Sequence, residues 1–385
     1  MRSSCSRVIP CVRKPVALSA PTSQKVKLAV MRIPFLGQPA SDTPVPLWRH
    51  PEVCLLDWIF QLLLPLVLPL AKMVRAALVG DLGMLNRVRK SMDKNDGSQH
   101  DGIFEKWALT RLELPRADGT VLEVLLHRPP HCSTDANLPL ILWFHGGGYT
   151  VGCARDSFGA TLATELLRTA GGSSIFAWAS VEYRLAPEHP FPAAPLDGAS
   201  ALDYFTSDVT RSSFLGIDAA QVHVAGTSAG AGLAACIVSD ATRRGIAVRS
   251  LLLEEPMLDP RTNSASYISN GAATIAPASW LRWSWEVYYH GAPAGTSNGS
   301  ASARFVMSPR LLDADVLLSS HPQTIVVTAS ADNLRDEGAA YAEALRKIGR
   351  LAVHIEAKGS HVVGINIDRK ARGQMFDAWA ALLSR

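Results

Sequence analysis

Apolar runs and helical periods alternate along the C-terminal three quarters of the chain. Seven short apolar runs, bounded by turn residues, predict buried strands. They lie at 121–127, 139–144, 175–182, 221–225, 249–254, 324–329 and 352–356. Helical patterns lie between several of them, at 159–169, 197–206, 229–244, 337–348 and 369–384. This alternation predicts an α/β fold with a mostly parallel sheet covered by helices on both faces.

The N-terminal part follows a different pattern. Residues 1–41 hold seven Lys or Arg, and the first acidic residue is Asp42. Prolines and serines interrupt every helical period over 1–53, so a disordered tail and a transit or targeting segment both fit. Residues 92–101, MDKNDGSQHD, are polar and rich in turn formers and predict a linker.

Between tail and linker, residues 54–71 read CLLDWIFQLLLPLVLPLA. This run approaches the ~20 apolar residues of a spanning helix, although Asp57 and two prolines interrupt it. A membrane anchor, an apolar helix that caps the catalytic domain and an interfacial segment stay open. A cytoplasmic chain and one associated with the endoplasmic-reticulum membrane stay open with them. We therefore divide the chain into 1–53, a segment with a linker over 54–98, and a catalytic domain over 99–385.

Composition narrows the class of protein. Of the 385 residues, 48% are hydrophobic and 19% are charged, which excludes a wholly disordered chain. The net charge of +4 gives no general reason to expect nucleic-acid binding. The six cysteines stand singly, without a CxxC pair, and so predict neither a disulfide framework nor a zinc site.

A nucleophile motif stands at Gly226-Thr227-Ser228-Ala229-Gly230, between an apolar strand and an Ala-rich helix. A sharp strand–turn–helix corner exposes the central hydroxyl at the C-terminal edge of the sheet, and glycines on both sides avoid clashes there. This context predicts Ser228 as a nucleophile.

A second glycine-rich loop, His145-Gly146-Gly147-Gly148, follows the strand at 139–144. Backbone N–H groups in such a loop stabilise the oxyanion of a tetrahedral intermediate. No Gly-Lys-Ser/Thr follows the loop, which argues against phosphate binding.

A serine nucleophile needs a base and an orienting acid, which on this fold follow in the order Ser, Asp or Glu, His. Asp332 follows the strand at 324–329, and His361 follows the next strand. Both are therefore predicted to lie in loops at the same edge of the sheet as Ser228. The rejected candidates are Asp336 and Glu337 in the following helix, His354 inside a strand, His321 at the opposite edge and His290 without a strand before it.

Together these motifs resemble the hormone-sensitive-lipase-like branch of the α/β-hydrolases, which includes esterases and arylacetamide-deacetylase-like proteins. The matching segments are HGGGYTVG at 145–152, EYRLAPEHPFPAAPLDG at 182–198, GTSAG at 226–230, ADNLRDEG at 331–338 and GSH at 359–361. They extend over roughly residues 100–385. Two departures are Thr227, where many relatives carry Asp, and Val362-Val363, where Gly-Phe is common.

The resemblance implies an eight-stranded, mostly parallel sheet with a helical cap. It implies Ser228 as nucleophile, Asp332 as acid and His361 as base. It also implies an oxyanion hole formed by the backbone N–H groups of Gly147, Gly148 and Ala229, in a loop shaped by His145 and Gly146. The expected pocket residues are Tyr149, Trp280, Trp283 and Val362, with cap segments near 52–75 and 279–289.

We therefore expect a serine carboxylic-ester hydrolase for short-acyl or acetyl esters of hydrophobic alcohols, with rates that fall below roughly pH 6–7. This chemistry needs no metal or cofactor, and the expected partner is a small hydrophobic ester rather than a nucleic acid. A long-chain lipase, an amide deacetylase, a non-catalytic small-molecule receptor and a lyase on the same fold stay open. The oligomeric state stays open too.

Overall fold

The fold was analysed in a computed structural model, which describes residues 82–384 apart from 117, 131, 133–135, 171–174, 272–275, 290–304 and 306–318. The predictions for residues 1–53 and 54–71, and the rejected candidate His290, lie outside the described residues. Within the described ranges, no helix is both long and apolar enough to span a bilayer.

A single eight-stranded sheet organises the described residues. Its strands are β1 (Ala108–Pro115), β2 (Val121–Arg128), β3 (Leu138–Phe144), β4 (Ala177–Val181), β5 (Ile217–Thr227), β6 (Ser250–Glu254), β7 (Gln323–Ala329) and β8 (Leu351–Ala357). They lie in the order β1-β2-β4-β3-β5-β6-β7-β8. The β1–β2 and β2–β4 pairs are antiparallel, and the other pairs are parallel. The predicted α/β fold with a mostly parallel, eight-stranded sheet and all seven predicted strands are confirmed.

Helices cover both faces of the sheet. Those in the described ranges are α1 (Leu82–Ile103), α2 (Ser157–Thr169), α3 (Ala193–Thr206), α4 (Val209–Phe214), α5 (Ala229–Arg243), α6 (Ala265–Ser269), α7 (Ala278–Tyr289), α8 (Arg335–Lys347), α9 (Val363–Ile367) and α10 (Arg369–Leu383). Alternate residues of β3 pack into two hydrophobic cores, one on each face of the sheet. Leu142 and Phe144 join the core that contains α3 and α5, while Trp143 packs with residues of α2 and α10 on the other face.

The predicted linker at 92–101 is wrong, because helix α1 continues through it to Ile103. Tertiary contacts, rather than local propensity, explain this helix. The position of a Cβ on Gly97 would lie 3.2 Å from the Arg155 guanidinium, so the helix packs closely there. His100 is buried against the edges of Phe104 and His127, with ring centroids 5.0 Å away in each case.

Candidate active site

Ser228 stands alone between β5 and α5, with φ 53° and ψ −119°. This left-handed conformation turns the chain sharply, as the sequence motif predicts. Neighbouring backbone segments approach so closely that side chains would collide: a Cβ on Gly226 would lie 2.4 Å from the Gly230 carbonyl oxygen. The turn is fixed by the Ser228 N–H, which donates to the Glu254 carbonyl at 2.8 Å. The hydroxyl is thereby held at the C-terminal edge of the sheet.

His361 and Asp332 meet Ser228 at this edge, where β8, β7 and β5 end. His361 Nε2 lies 3.1 Å from Ser228 Oγ, and its Nδ1 lies 2.8 Å from Asp332 Oδ2. The other oxygen of Asp332 accepts from the Leu334 N–H at 3.0 Å, which fixes the carboxylate. Because a carboxylate can only accept, Nδ1 carries the proton and Nε2 is free to accept the serine proton. The three residues that the sequence places at separate strand ends therefore form one hydrogen-bonded chain.

Sequence reasoning missed Glu255, a second carboxyl group at the same imidazole. Glu255 follows β6 directly, is fully buried and has φ 46°. Its Oε2 lies 3.1 Å from His361 Nδ1 and accepts a hydrogen bond from the Val362 N–H. The available signal was the pair Glu254-Glu255 at the end of the apolar run SLLLE, one strand away from the nucleophile strand.

Buried carboxyl groups control the electrostatics of the base. Burial opposes the charged form of His361, but the carboxylates of Asp332, Glu255 and Glu254 outweigh it and raise its pKa to about 9. Burial raises the pKa of Glu254 to about 7. Burial, together with Asp332 and Glu254, holds the pKa of Glu255 well above its ordinary value, although His361 acts in the opposite direction.

Potential ligand atoms of Glu255, Asp332 and His361 all lie within 4.8 Å of one another. Among the described residues they form the group that could hold a metal ion. Their mutual hydrogen bonds also account for this proximity without a cation.

The loop after β3 packs directly against the nucleophile. A Cβ on Gly146 would lie 3.3 Å from the Ser228 Cβ, so only a residue without a side chain fits without displacement. Gly147 has φ 120° and Gly148 has φ 58°. The Gly147 carbonyl accepts from the backbone N–H groups of Thr150 and Val151, both at 3.0 Å, which closes the turn. The predicted oxyanion loop is thus a tight turn beside Ser228.

His145 supports this loop and has no geometry for proton transfer with Ser228. Its ring stacks on Tyr183 at 4.2 Å, and its Nδ1 lies 2.7 Å from the Gly146 carbonyl oxygen. The Tyr183 hydroxyl donates to the His145 carbonyl at 2.7 Å. Burial lowers the pKa of His145 to about 4, so its ring is neutral near neutral pH.

The predicted pocket residues have different surroundings. Trp280, which is 5% exposed, lies against the oxyanion loop: a Cβ on Gly148 would be 2.9 Å from its ring. Val362 follows the base directly, with φ 65°. Trp283 is partly buried against the core that contains α3 and α5. Tyr149 is fully enclosed, stacked on Tyr288 at 4.0 Å, and therefore supports the site from behind.

The rejected acids and histidines have structural partners. Asp336 and Glu337 lie in α8, where they accept from the backbone N–H groups of Ser266 and Leu258, respectively, at 2.7 Å. His354 lies in β8, 3.0 Å from the Thr328 hydroxyl. His321 is buried before β7, within 3.3 Å of the Tyr341 hydroxyl.

The chain is similar in sequence to several known proteins. Residues 141–363, more than half of the chain, match a family model described as alpha/beta hydrolase fold. An ethyl acetate hydrolase of Pseudomonas putida is 34% identical over 243 residues, which cover 63% of this chain and 70% of that protein. The gibberellin receptor GID1B of Arabidopsis thaliana is 28% identical, with coverage of 63% and 64%.

A solved structure is similar to this chain over most of its length. A hyperthermophilic esterase from the archaeon Pyrobaculum calidifontis superimposes with a TM-score of 0.65 and 25% identity. The match covers 89% of this chain and 98% of the archaeal chain.

Proposed function

The chain belongs to the α/β-hydrolase family and is a carboxylic ester hydrolase, and we propose that it cleaves its substrate through an acyl-enzyme formed on Ser228. The observation that carries this proposal is the continuous contact from Ser228 Oγ through His361 to Asp332. All three side chains are almost completely buried, so water competes little with these hydrogen bonds.

In the first half of the reaction, His361 Nε2 takes the proton of Ser228 Oγ as the oxygen attacks the ester carbonyl carbon. Collapse of the tetrahedral intermediate breaks the bond to the alkoxy oxygen, and His361 returns the proton to the departing alcohol. In the second half, water gives a proton to His361 and attacks the acyl-enzyme. The proton then returns to Ser228 as the carboxylic acid leaves.

The intermediate carries a negative charge on the former carbonyl oxygen. We assign its stabilisation to the backbone N–H groups of Gly147, Gly148 and Ala229, in support of which the loop packs against Ser228. Loss of one such donor typically costs about 3–4 kcal/mol of transition-state stabilisation. Asp332 stabilises the imidazolium that forms at the same moment.

For the substrate, we propose short-acyl or acetyl esters of hydrophobic alcohols. The contact of the Trp280 ring with the Gly148 position supports this choice, because it places a bulky apolar wall beside the proposed oxyanion hole. Long-chain esters and aryl amides are the alternative substrates. A series of esters of increasing acyl length distinguishes the long-chain esters from the proposed short-acyl substrates.

A receptor function is the second candidate, since GID1B is among the relatives. Binding alone would not need a serine, a histidine and an aspartate in hydrogen-bonding order. The complete chain of contacts in this protein favours hydrolysis.

The test follows the hydrolysis of p-nitrophenyl esters from acetate to palmitate by the full chain. Ser228→Ala is compared with Ser239→Ala, a matched control at another buried serine, in α5. We expect activity that is highest for short acyl groups and is lost only in Ser228→Ala. A maximum at long chains would change the assignment to a lipase. A folded but inert wild type would favour a receptor, and activity that survives Ser228→Ala would exclude this nucleophile.

A further inference from the structure

Glu255 occupies an unusual backbone position beside the base. With φ 46°, it adopts a left-handed conformation that disfavours residues with a Cβ. The strand ladder holds it there, since its N–H donates to the Val327 carbonyl at 2.8 Å. This geometry directs a carboxyl group into the interior, where glycine would relieve the backbone but supply no side chain.

Two carboxyl groups converge on one nitrogen. His361 Nδ1 lies 2.8 Å from Asp332 Oδ2 and 3.1 Å from Glu255 Oε2. The same Glu255 oxygen accepts from the Val362 N–H, which ties it to the backbone directly after the base. Glu255 is therefore within reach of the proton that fixes the tautomer of His361.

The charge balance assigns different states to the two acids. The titratable groups that face Glu255 are His361, Asp332 and Glu254, and each is buried. Two carboxylates at one imidazole repel each other, and burial penalises each of them. Its second oxygen, Oε1, has no hydrogen-bonding partner among the described residues, so a full charge there would be poorly compensated. Asp332 is closer to Nδ1, and its other oxygen accepts the Leu334 N–H. Both oxygens of Asp332 therefore have donors, which favours the negative charge on Asp332 rather than on Glu255.

We propose that Glu255 is a reserve acid for His361: a positioning residue that is uncharged while the imidazole of His361 is neutral, accepts a second hydrogen bond from Nδ1–H, and supplies the negative charge when Asp332 cannot. This inference rests on the proposed triad. Burial and the Asp332 charge both oppose ionisation of Glu255, while His361 favours it. Removal of the Asp332 charge therefore shifts this balance, so that Glu255 ionises and orients the imidazole in its place.

A double-mutant cycle in the full chain tests the proposal. Asp332→Asn, Glu255→Gln and the double variant are compared with wild type for kcat and KM on p-nitrophenyl acetate. In the well-studied Ser-His-Asp triad of a serine protease, the equivalent Asp-to-Asn change costs about 10⁴-fold in kcat, because the histidine then adopts the wrong tautomer. Here we expect Asp332→Asn to lose less than about 100-fold and the double variant to fall to about 10⁴-fold. The loss should appear in kcat, with little change in KM.

Matched variants separate a specific role from a general loss of charge. Glu254→Gln removes a neighbouring buried carboxyl group that has no hydrogen bond to His361, and it should show no coupling with Asp332→Asn. Asp332→Ala repeats the cycle without the new amide group. The rate at which a fluorophosphonate labels Ser228 gives a second measure of base strength, and thermal melting checks the fold of each variant.

The outcomes are distinct. A loss of about 10⁴-fold in Asp332→Asn, with no further effect of Glu255→Gln, would overturn the reserve role. Equal coupling of Glu254→Gln and Glu255→Gln would overturn it as well. Wild-type activity that survives Ser228→Ala would instead reject the proposed triad, independently of Glu255.

Discussion

Arg89 of helix α1 donates from Nε to the carbonyl oxygen of Thr150 at 2.7 Å. Its Nη2 donates to the Ala186 carbonyl at 2.6 Å, and its Nη1 pairs with Glu188 at 2.8 Å. Thr150 belongs to the turn that Gly147 closes. One guanidinium therefore links helix α1 to the proposed oxyanion loop.

Arg89→Ala is expected to lower kcat/KM about tenfold, the effect of about 1.4 kcal/mol in the transition state. A hydrogen bond to a charged group contributes about 1.5–3 kcal/mol, and the substitution leaves two carbonyls without this donor. Steady-state kinetics on p-nitrophenyl acetate provide the measurement. Lys90→Ala changes an exposed residue on the same helix and serves as control. Unchanged kinetics in Arg89→Ala, with only a lower melting temperature, would show that the helix does not position the loop.

Asp156→Ala is expected to lower the free energy of unfolding by about 2–4 kcal/mol. Asp156 Oδ1 caps helix α2 by accepting the Gly159 N–H at 2.7 Å, and Oδ2 accepts the buried Trp143 Nε1–H at 2.8 Å. Loss of a cap costs about 1 kcal/mol, and an unsatisfied buried donor costs about 1–3 kcal/mol more. Chemical denaturation measures the difference. Asp368→Ala removes the cap of α10 and an exposed hydrogen bond from the Lys358 N–H, but it leaves no buried side-chain donor unsatisfied, and it should cost about 1–2 kcal/mol; equal losses in both variants would contradict the role of Trp143.

The pH profile of kcat/KM should rise from neutral into alkaline pH. His361 acts as base only when neutral, and the surrounding carboxylates raise its pKa towards about 9 from an ordinary 6.5. Lowering the pH through this range protonates Nε2 and removes the acceptor for the serine proton. The acid limb therefore lies above the pH 6–7 expected from the sequence. Initial rates from pH 5 to 10, corrected for spontaneous hydrolysis, measure it.

The pH profile has a control variant and an outcome that would contradict it. His354→Gln changes a histidine that lies in β8 and bonds Thr328, so its acid limb should coincide with that of wild type. A wild-type rate that stays level down to pH 5 would show that the carboxylates do not raise the pKa of His361.

The sheet could be predicted from the sequence wherever a strand is buried along most of its length. Strand β1 was missed because the charged residues Arg111 and Glu113 interrupt its apolar pattern, and only Leu112 and Leu114 are buried. Helix α1 was missed because its polar sequence carries no clear period. Its buried contacts, at Gly97 and His100, come from residues distant in sequence.

In the site, too, the residues that follow predicted strands could be identified from the sequence, whereas those that depend on tertiary contacts could not. Ser228, Asp332 and His361 could be named because each follows a predicted strand and the chain order matches the fold. Glu255 carries no motif, and its importance depends on which strand ends lie side by side. The raised pKa of His361 likewise results from three carboxyl groups that only the tertiary fold brings together.

Gly148→Ala is expected to lower kcat about 100- to 1,000-fold, the usual effect of losing one oxyanion donor. Gly148 has φ 58°, and an added Cβ would lie 2.9 Å from both the Trp280 ring and Ser284 Oγ, so the loop must move away. Gly245→Ala provides the matched control, because Gly245 has φ 72° with open space around it. It therefore introduces the same backbone strain far from any packing contact. Kinetics and melting curves of both variants, measured side by side, separate strain from lost catalysis. A higher KM with unchanged kcat in Gly148→Ala would mean that Gly148 shapes the pocket and does not stabilise the oxyanion.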